Sequence, residues 1–125
     1  MKFLGNILWL LFGGLATAIE YFAAGLLLCC TIIGIPFGIQ IFKLGLLSLW
    51  PFGAVIGTRP EAGGCLFIFM NVLWILTGGI VISLTHLLFG VLCFLTIIGI
   101  PFGKQHFKMA LLAISPFGRD ININF

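Results

Sequence analysis

Apolar residues follow one another along this chain with few interruptions. Three charge-free runs, Phe3–Ile19, Tyr21–Phe42 and Ala62–Gly103, cover most of it. About 20 consecutive apolar residues are enough to cross the hydrocarbon core of a membrane. Because lipid requires every backbone polar group to find a partner, and because alternation with a period of two is absent, helices are favoured over strands. The pattern predicts an all-α integral membrane protein.

The apolar pattern occurs twice. A shift of 65 residues aligns residues 6–53 with residues 71–118 without a gap, and 24 of the 48 aligned pairs are identical. Pro, Gly, Gln and Lys all recur in register, which apolar low complexity does not explain. Repeats on this scale indicate a supersecondary unit that is used more than once. The sequence therefore predicts a single membrane domain, 1–125, with repeat one at 6–53, a polar linker at 54–64 and repeat two at 71–118.

Each repeat has the same internal order: a long apolar helix, a break and a shorter helix. The long stretches are Ile7–Ile33 and Val72–Ile98, and the shorter ones are Ile39–Trp50 and Lys104–Ser115. Between them lies Gly-Ile-Pro-Phe-Gly, where proline lacks an amide hydrogen and glycine admits unusual backbone angles. The predicted break residues are Gly34, Pro36, Gly38, Gly99, Pro101 and Gly103.

Two membrane topologies fit these lengths. A long stretch of 27 residues makes roughly 40 Å of helix, more than the core needs, whereas a helix of 12 residues reaches only about 18 Å. Either each repeat has one full span and one half-span, with the repeats inverted, or each repeat crosses twice and the repeats are parallel. Lysine and arginine placement favours the inverted arrangement. Both topologies place the two termini on one side, which we expect to be the cytoplasm.

Composition narrows the functional class. Hydrophobic residues make up 62% of the chain and charged residues 7%, with a formal net charge of +3. Six scattered lysines and arginines form no basic face, so nucleic acid is not expected as a partner. The four cysteines lack metal-ligand spacing and are expected to be free thiols, with no metal or cofactor. Residues 2–18 imitate a signal peptide, but residues 6–14 recur at 71–79, which predicts that the N-terminus is retained.

The repeated motifs resemble those of a known family. Thr-Ile-Ile-Gly-Ile-Pro-Phe-Gly, then Gln-x-Phe-Lys, then Pro-Phe-Gly, twice in one short apolar chain, is similar to the YccF-type inner-membrane component domain of bacteria. The resemblance extends from about residue 6 to residue 118. It implies a protein of the bacterial inner membrane with two copies of the domain. It implies no reaction, substrate or binding residue.

Glu20 and His86 are the polar residues deepest in the apolar stretches. A carboxylate among apolar residues is costly, so it faces a partner, a cavity or an ion path, or is held protonated, or else lies among lipid headgroups. His86 aligns with Tyr21, so inverted repeats would bring Glu20 and His86 together as a polar pair near a twofold axis; the alternative is that His86 is a packing residue. His106, between Lys104 and Lys108, is expected at the membrane interface.

Two further features remain open from sequence. The paired breaks are typical either of an ion or substrate site or of a tight turn between helices. Gln40 and Lys43, like Gln105 and Lys108, share a helical face that is expected either to bind a lipid headgroup or partner or to reach the membrane interface.

The residues leave two hypotheses for function. No paired carboxylates, nucleophile and base, or phosphate loop occur, so an enzyme is not expected. The first hypothesis is a homo-oligomeric pore or small transport pathway, since so few helices cannot enclose a channel alone. The alternative is an accessory or scaffold subunit that packs against a larger membrane protein through its glycine-rich faces.

Overall fold

The computed structural model describes residues 2–58 and 64–123. The first repeat consists of α1 (Lys2–Trp9), a π-helical turn (Leu10–Gly14), α2 (Leu15–Cys29) and α3 (Ile35–Leu49), followed by strand β1 (Val55–Thr58). The second repeat has the same order: α4 (Cys65–Trp74), a π-helical turn (Ile75–Gly79), α5 (Ile80–Phe94), α6 (Ile100–Ile114) and strand β2 (Arg119–Asn122). Phe3–Cys29 and Cys65–Phe94 are long and apolar enough to cross a membrane.

Each repeat folds as a helical hairpin. The predicted breaks are tight turns, and a threonine closes each one: Thr31 Oγ1 accepts the Gly34 N–H at 3.0 Å and donates to the Leu28 carbonyl at 2.9 Å. The backbones then pack so closely that a Cβ on Gly38 would lie 2.7 Å from the Gly25 carbonyl oxygen. The shorter helices begin earlier than the sequence predicted, because each proline lies in a first turn, where no amide hydrogen is needed.

An asparagine clamps the base of each hairpin. Asn6 Oδ1 accepts the Phe52 N–H at 2.9 Å and its Nδ2 donates to the Phe52 carbonyl at 3.1 Å. Asn71 makes the same two bonds to Phe117, at 3.0 and 3.1 Å. In both turns the glycine that follows the phenylalanine has a positive φ, 92° at Gly53 and 94° at Gly118. The repeated Pro-Phe-Gly is thus a turn whose phenylalanine backbone is held by an asparagine 46 residues earlier.

The two hairpins are inverted relative to each other. Phe102, just after the turn of the second hairpin, packs on Phe52 at the base of the first, with ring centroids 5.6 Å apart. Phe37, just after the turn of the first hairpin, packs on Phe117 at the base of the second, at 5.0 Å. The turn of each hairpin therefore lies beside the base of the other. This is the relation between repeats that the inverted topology requires.

The two long helices also run in opposite directions. Cys93 Sγ lies 3.9 Å from the Phe12 carbonyl oxygen, and Thr85 donates to Glu20 at 3.0 Å. Residue numbers therefore increase along the first long helix, from Phe12 to Glu20, as they decrease along the second, from Cys93 to Thr85. Glu20 and Thr85 are 65 residues apart, the repeat spacing, so a pseudo-twofold axis passes between them.

A two-stranded antiparallel ribbon corrects the all-α expectation. β1 pairs with β2 in the register Val55 with Asn122, Ile56 with Ile121 and Gly57 with Asp120. Ile56 and Ile121 are again 65 residues apart, so the pseudo-twofold axis also passes through the ribbon. β1 occupies part of the expected linker, because the apolar side of the ribbon packs against the core through Ile56 and Ile121. Because Val55 pairs with Asn122, the two ends of the described chain lie at the same end of the molecule.

Candidate functional site

A chain of hydrogen bonds between buried polar side chains crosses the contact between the two repeats. The Tyr21 hydroxyl lies 3.0 Å from His86 Nε2, and His86 Nδ1 lies 3.0 Å from His106 Nδ1. The chain ends where His106 Nε2 meets the Phe12 carbonyl oxygen at 2.9 Å. All three side chains are fully buried. Buried polar groups are costly unless they are bonded, so this arrangement is one connected unit.

A kink in the first long helix supplies the last acceptor. Within the π-helical turn, Phe12 has φ −95° and ψ 25°, and Gly13 has φ 116°. Gly13 reaches the left-handed region because it has no Cβ. Non-helical angles at these two residues turn the peptide unit between them, and its carbonyl accepts from His106. Kinks of this kind have an identifiable local cause, here a π-helical turn with a glycine.

The partners determine which atom donates in each hydrogen bond of this series. A carbonyl oxygen only accepts, so His106 Nε2 carries a hydrogen and, in a neutral ring, His106 Nδ1 is an acceptor. His86 Nδ1 must then donate to it, which leaves His86 Nε2 as the acceptor for the Tyr21 hydroxyl. With both rings neutral, this is the single assignment in which every contact has one donor and one acceptor.

Aromatic rings enclose His106. The Trp9 ring centroid lies 4.1 Å away and the Phe89 ring stacks on the imidazole at 5.6 Å. Trp9 is itself fixed, because its indole N–H donates to the Ser48 carbonyl at 2.6 Å. Trp74 makes the equivalent bond to the Ala113 carbonyl, also at 2.6 Å. The imidazole pair therefore lies in a rigid, mostly apolar setting.

Glu20 lies in a shallow groove between α2 and α5, beside the buried chain. Its Oε2 accepts the Thr85 hydroxyl, and its Oε1 is buried without a hydrogen-bond partner among residues 2–58 and 64–123. The groove has a volume of about 270 Å³. Its other lining residues are small or aliphatic: Ala23, Ala24, Leu27, Gly78, Val81 and Ile82. Glu20 thus places a half-buried carboxylate among apolar side chains.

The structure changes three of the site predictions. Glu20 and His86 belong to neighbouring residue pairs of the α2–α5 contact, but they do not bond to each other. Glu20 bonds to Thr85, and His86 bonds to Tyr21. The expectation that His106 is interfacial is wrong, because it faces inward between the repeats while Lys104 and Lys108 on the same helix are exposed.

The prediction of a lipid or partner contact is wrong for Gln40. It is buried, and its Nε2 donates to the carbonyls of Pro116 and Arg119 at 3.1 and 2.8 Å, which holds β2 against α3. Lys43 and Gln105 are half-buried and Lys108 is exposed.

At each predicted break a threonine hydroxyl accepts one glycine N–H and donates to one helix carbonyl, and the two breaks lie at opposite ends of the molecule. The isoleucines beside them are among the most exposed residues: Ile32 and Ile97 are each 88% exposed. The four cysteines are free, and only Cys93 is buried. In the part of the chain that the structure describes, no three metal-ligating side chains converge.

Sequence reasoning missed the roles of Tyr21, Thr85 and Phe12. The available signal was the repeat spacing: Tyr21 aligns with His86 and Glu20 with Thr85, and a pseudo-twofold axis brings aligned positions into contact. The contact with Phe12 had no signal, because it depends on a kink within an apolar run.

Comparison with known proteins agrees with the duplicated architecture. The YccF inner membrane component domain matches the chain twice, over residues 4–54 and 69–119. The inner membrane protein YccF of Escherichia coli strain K12 is 30% identical over 132 residues, which covers 97% of this chain and 87% of the relative. The protein of the same name from Shigella flexneri matches equally well. No solved structure matches the chain significantly. This chain belongs to the YccF inner membrane component domain family and carries two copies of its domain.

Proposed function

We propose that this protein is a component of the bacterial inner membrane whose copies assemble around a small polar pathway, with Glu20 of each copy facing it. The observation that carries the proposal is the position of Glu20. Its carboxylate lies in a groove whose other lining residues are apolar, and one of its oxygens has no partner in the described chain. A carboxylate in that position is costly against lipid tails. Water enclosed between neighbouring copies removes that cost.

The ribbon also requires water, independently of Glu20. With the long helices across the membrane in opposite directions, the ribbon connects the two ends of the bundle and lies at membrane depth. Within the described residues its outer edges pair with no further strand, and apart from the Arg119 carbonyl, which accepts from Gln40, no bond of those edges to a side chain supplies the partners that lipid requires. Water must therefore reach the outer face of the ribbon, where Thr58, Asp120 and Asn122 are exposed.

A pathway of this kind requires several copies. The clefts of a single chain hold about 190 to 270 Å³, enough for a few waters each. The small residues Ala23, Ala24 and Gly78 beside Glu20 allow a neighbouring helix to approach closely, as in other membrane helix contacts. We further propose that both termini lie in the cytoplasm. C-terminal reporter fusions that are active only outside the cytoplasm would contradict that orientation.

A second candidate is a non-transporting accessory subunit that packs against a larger membrane protein. The observation that favours it is the pair of apolar turns: Ile32 and Ile97 are almost fully exposed, and the groups around them are already satisfied within the chain. Such tips are suited to lipid or to an apolar partner surface, and they add nothing to a polar pathway.

Two measurements on the protein in lipid nanodiscs and liposomes separate these functions. The mass of the particle distinguishes a ring of copies from a monomer. Ion flux through liposomes is then compared for the native protein and Glu20→Gln, which removes the charge but keeps the shape. We expect lower flux with unchanged particle mass.

Two threonine variants provide a matched control. Thr85→Val removes the hydroxyl that holds Glu20 and should also lower flux. Thr77→Val removes a hydroxyl that bonds only within its own helix and should not. A monomer without flux would reject the pathway in favour of the accessory function.

A further inference from the structure

We propose that the buried imidazole pair of His86 and His106 is a binding site for a single proton, with the Glu20 carboxylate as its counter-charge. The site is built from both repeats and from the kinked segment of the first long helix. The proposal depends on hydrogen bonds within a single copy of the protein and does not require the oligomeric pathway.

The neutral chain of hydrogen bonds has one vacancy for a proton. Each of its three contacts uses one hydrogen: those of the Tyr21 hydroxyl, His86 Nδ1 and His106 Nε2. A proton from water can form a new N–H bond at His86 Nε2 if the Tyr21 hydroxyl turns, so that its oxygen accepts instead of donating. Each of the three contacts then again has one donor and one acceptor and no heavy atom has moved, while the Tyr21 hydroxyl hydrogen gives up its bond to His86 Nε2.

The added charge is shared by the two rings. The proton between the two Nδ1 atoms can lie on either, because they are 3.0 Å apart and both rings then have their Nε2 atoms protonated. When the charge resides on His106, its bond to the Phe12 carbonyl becomes charge-assisted and stronger. Proton binding therefore favours the kinked conformation at Phe12 and Gly13.

The same geometry excludes a second proton. Two charged rings would place an N–H on both Nδ1 atoms, so that two donors would face each other across 3.0 Å with like charges on both rings. The pair therefore titrates as one unit that takes up one proton, rather than as two histidines.

Among residues 2–58 and 64–123, the contacts around the pair include one carboxylate and no lysine or arginine. From α2 the titratable groups at the pair are Glu20 and Tyr21, and from α5 there is Cys93. α1 contributes the indole of Trp9, and the lysines of α6 are exposed, two residues to either side of His106 and so on other faces of the helix.

Among the described carboxylates, Glu20 is the one that the contacts bring toward the pair, and it is therefore the candidate counter-charge. It precedes Tyr21 in the sequence, and it bonds to Thr85, which precedes His86. A charged imidazolium enclosed by apolar groups requires such a partner, since isolated buried charges are strongly disfavoured.

The first repeat shows that packing alone does not require histidine here. His106 aligns with Ile41, which is equally buried, and His86 aligns with Tyr21. An aliphatic side chain and a phenol fill the equivalent places in the other half of the same molecule. The imidazole pair is therefore an addition to the common architecture.

Nitrogen NMR of the full-length protein with ¹⁵N-labelled histidine in nanodiscs tests the proposal, because ring nitrogen shifts report tautomer and protonation directly. At about pH 8, above the ordinary range of histidine, we expect His86 as the Nδ1–H tautomer and His106 as the Nε2–H tautomer. On lowering the pH to about 4, signals of both rings should change together with a single midpoint and one proton bound per chain. Two separate midpoints, or two neutral rings throughout while the fold persists, would overturn the proposal.

Two variants complete the test. Glu20→Gln should lower the midpoint by about one pH unit or more, since it removes the counter-charge; an unchanged midpoint would contradict the role of Glu20. His106→Ile, which restores the side chain of the first repeat, should abolish the shared titration. If that variant does not fold, the native titration and Glu20→Gln still decide the question.

Discussion

The asparagine clamps provide a quantitative test of the inverted hairpins. Asn6→Ala removes two hydrogen bonds of 2.9 and 3.1 Å to the backbone of Phe52, at a side chain that is fully buried. The loss leaves one backbone donor and one backbone acceptor without partners. An unsatisfied buried group costs about 1–3 kcal/mol, and hydrogen bonds within membrane proteins lie toward the low end of such values. We expect a loss of about 2–3 kcal/mol in the free energy of unfolding.

The second repeat provides the matched comparison. Asn71→Ala removes the same two bonds, but Asn71 is half-buried, so water can replace part of what is lost. The expected loss is about 1 kcal/mol. The two clamps lie at opposite ends of the molecule without shared partners, so the double variant should show the sum of the two losses within about 0.5 kcal/mol. Asn122→Ala, at an exposed position on β2, is the control and should have almost no effect.

Reversible unfolding in mixed detergent micelles, followed by circular dichroism, measures these differences. Equal losses at Asn6 and Asn71, or a larger loss at Asn71, would refute the burial difference on which the estimate depends. A double variant that loses much less than the sum would show that the two hairpin bases unfold as one contact.

Two further predictions concern the kink and the membrane placement. Gly13→Ala should lower the free energy of unfolding by about 2–4 kcal/mol, because φ is 116° and the new Cβ would lie 2.6 Å from the Phe89 ring. Gly78→Ala, at the aligned position, should lower it by about 1 kcal/mol. Equal losses in the same unfolding assay would argue against the left-handed kink. In a variant without native cysteines, Thr58→Cys should react with a water-soluble thiol reagent and Ile32→Cys should not. The reason is that the ribbon faces water and the turn faces apolar surroundings. The opposite labelling pattern would place the ribbon in lipid.

Much of the fold follows from sequence because it depends on local motifs. The repeat spacing, the breaks and the order of long and short helices are all visible in residue types that have strong backbone preferences. Pro36 lies in the first turn of α3, where its missing amide hydrogen is not needed, and Gly53 permits the turn at the hairpin base. The ribbon was not predicted, since β1 is four residues long and its stability comes from a partner strand at the other end of the chain. Short segments of that kind have no periodicity of their own to detect.

The candidate site could be predicted only in part, for a geometric reason. Aligned positions of two inverted repeats meet at their axis, so the duplication alone brings Glu20 to Thr85 and Tyr21 to His86 once the repeats are known to be inverted. Choosing Glu20 and His86 as a direct pair was wrong by one residue, because the axis joins equal positions rather than neighbouring ones.

His106 shows where this symmetry argument ends. It aligns with the apolar Ile41, so no symmetry relation leads to it, and its bond to the Phe12 carbonyl exists because the first long helix kinks with a left-handed glycine. The second long helix also has a π-helical turn, but Gly78 does not have a positive φ. One repeat supplies the freed carbonyl and the other supplies both imidazoles. The buried proton site therefore belongs to neither domain copy alone, and a single copy of the domain could not form it.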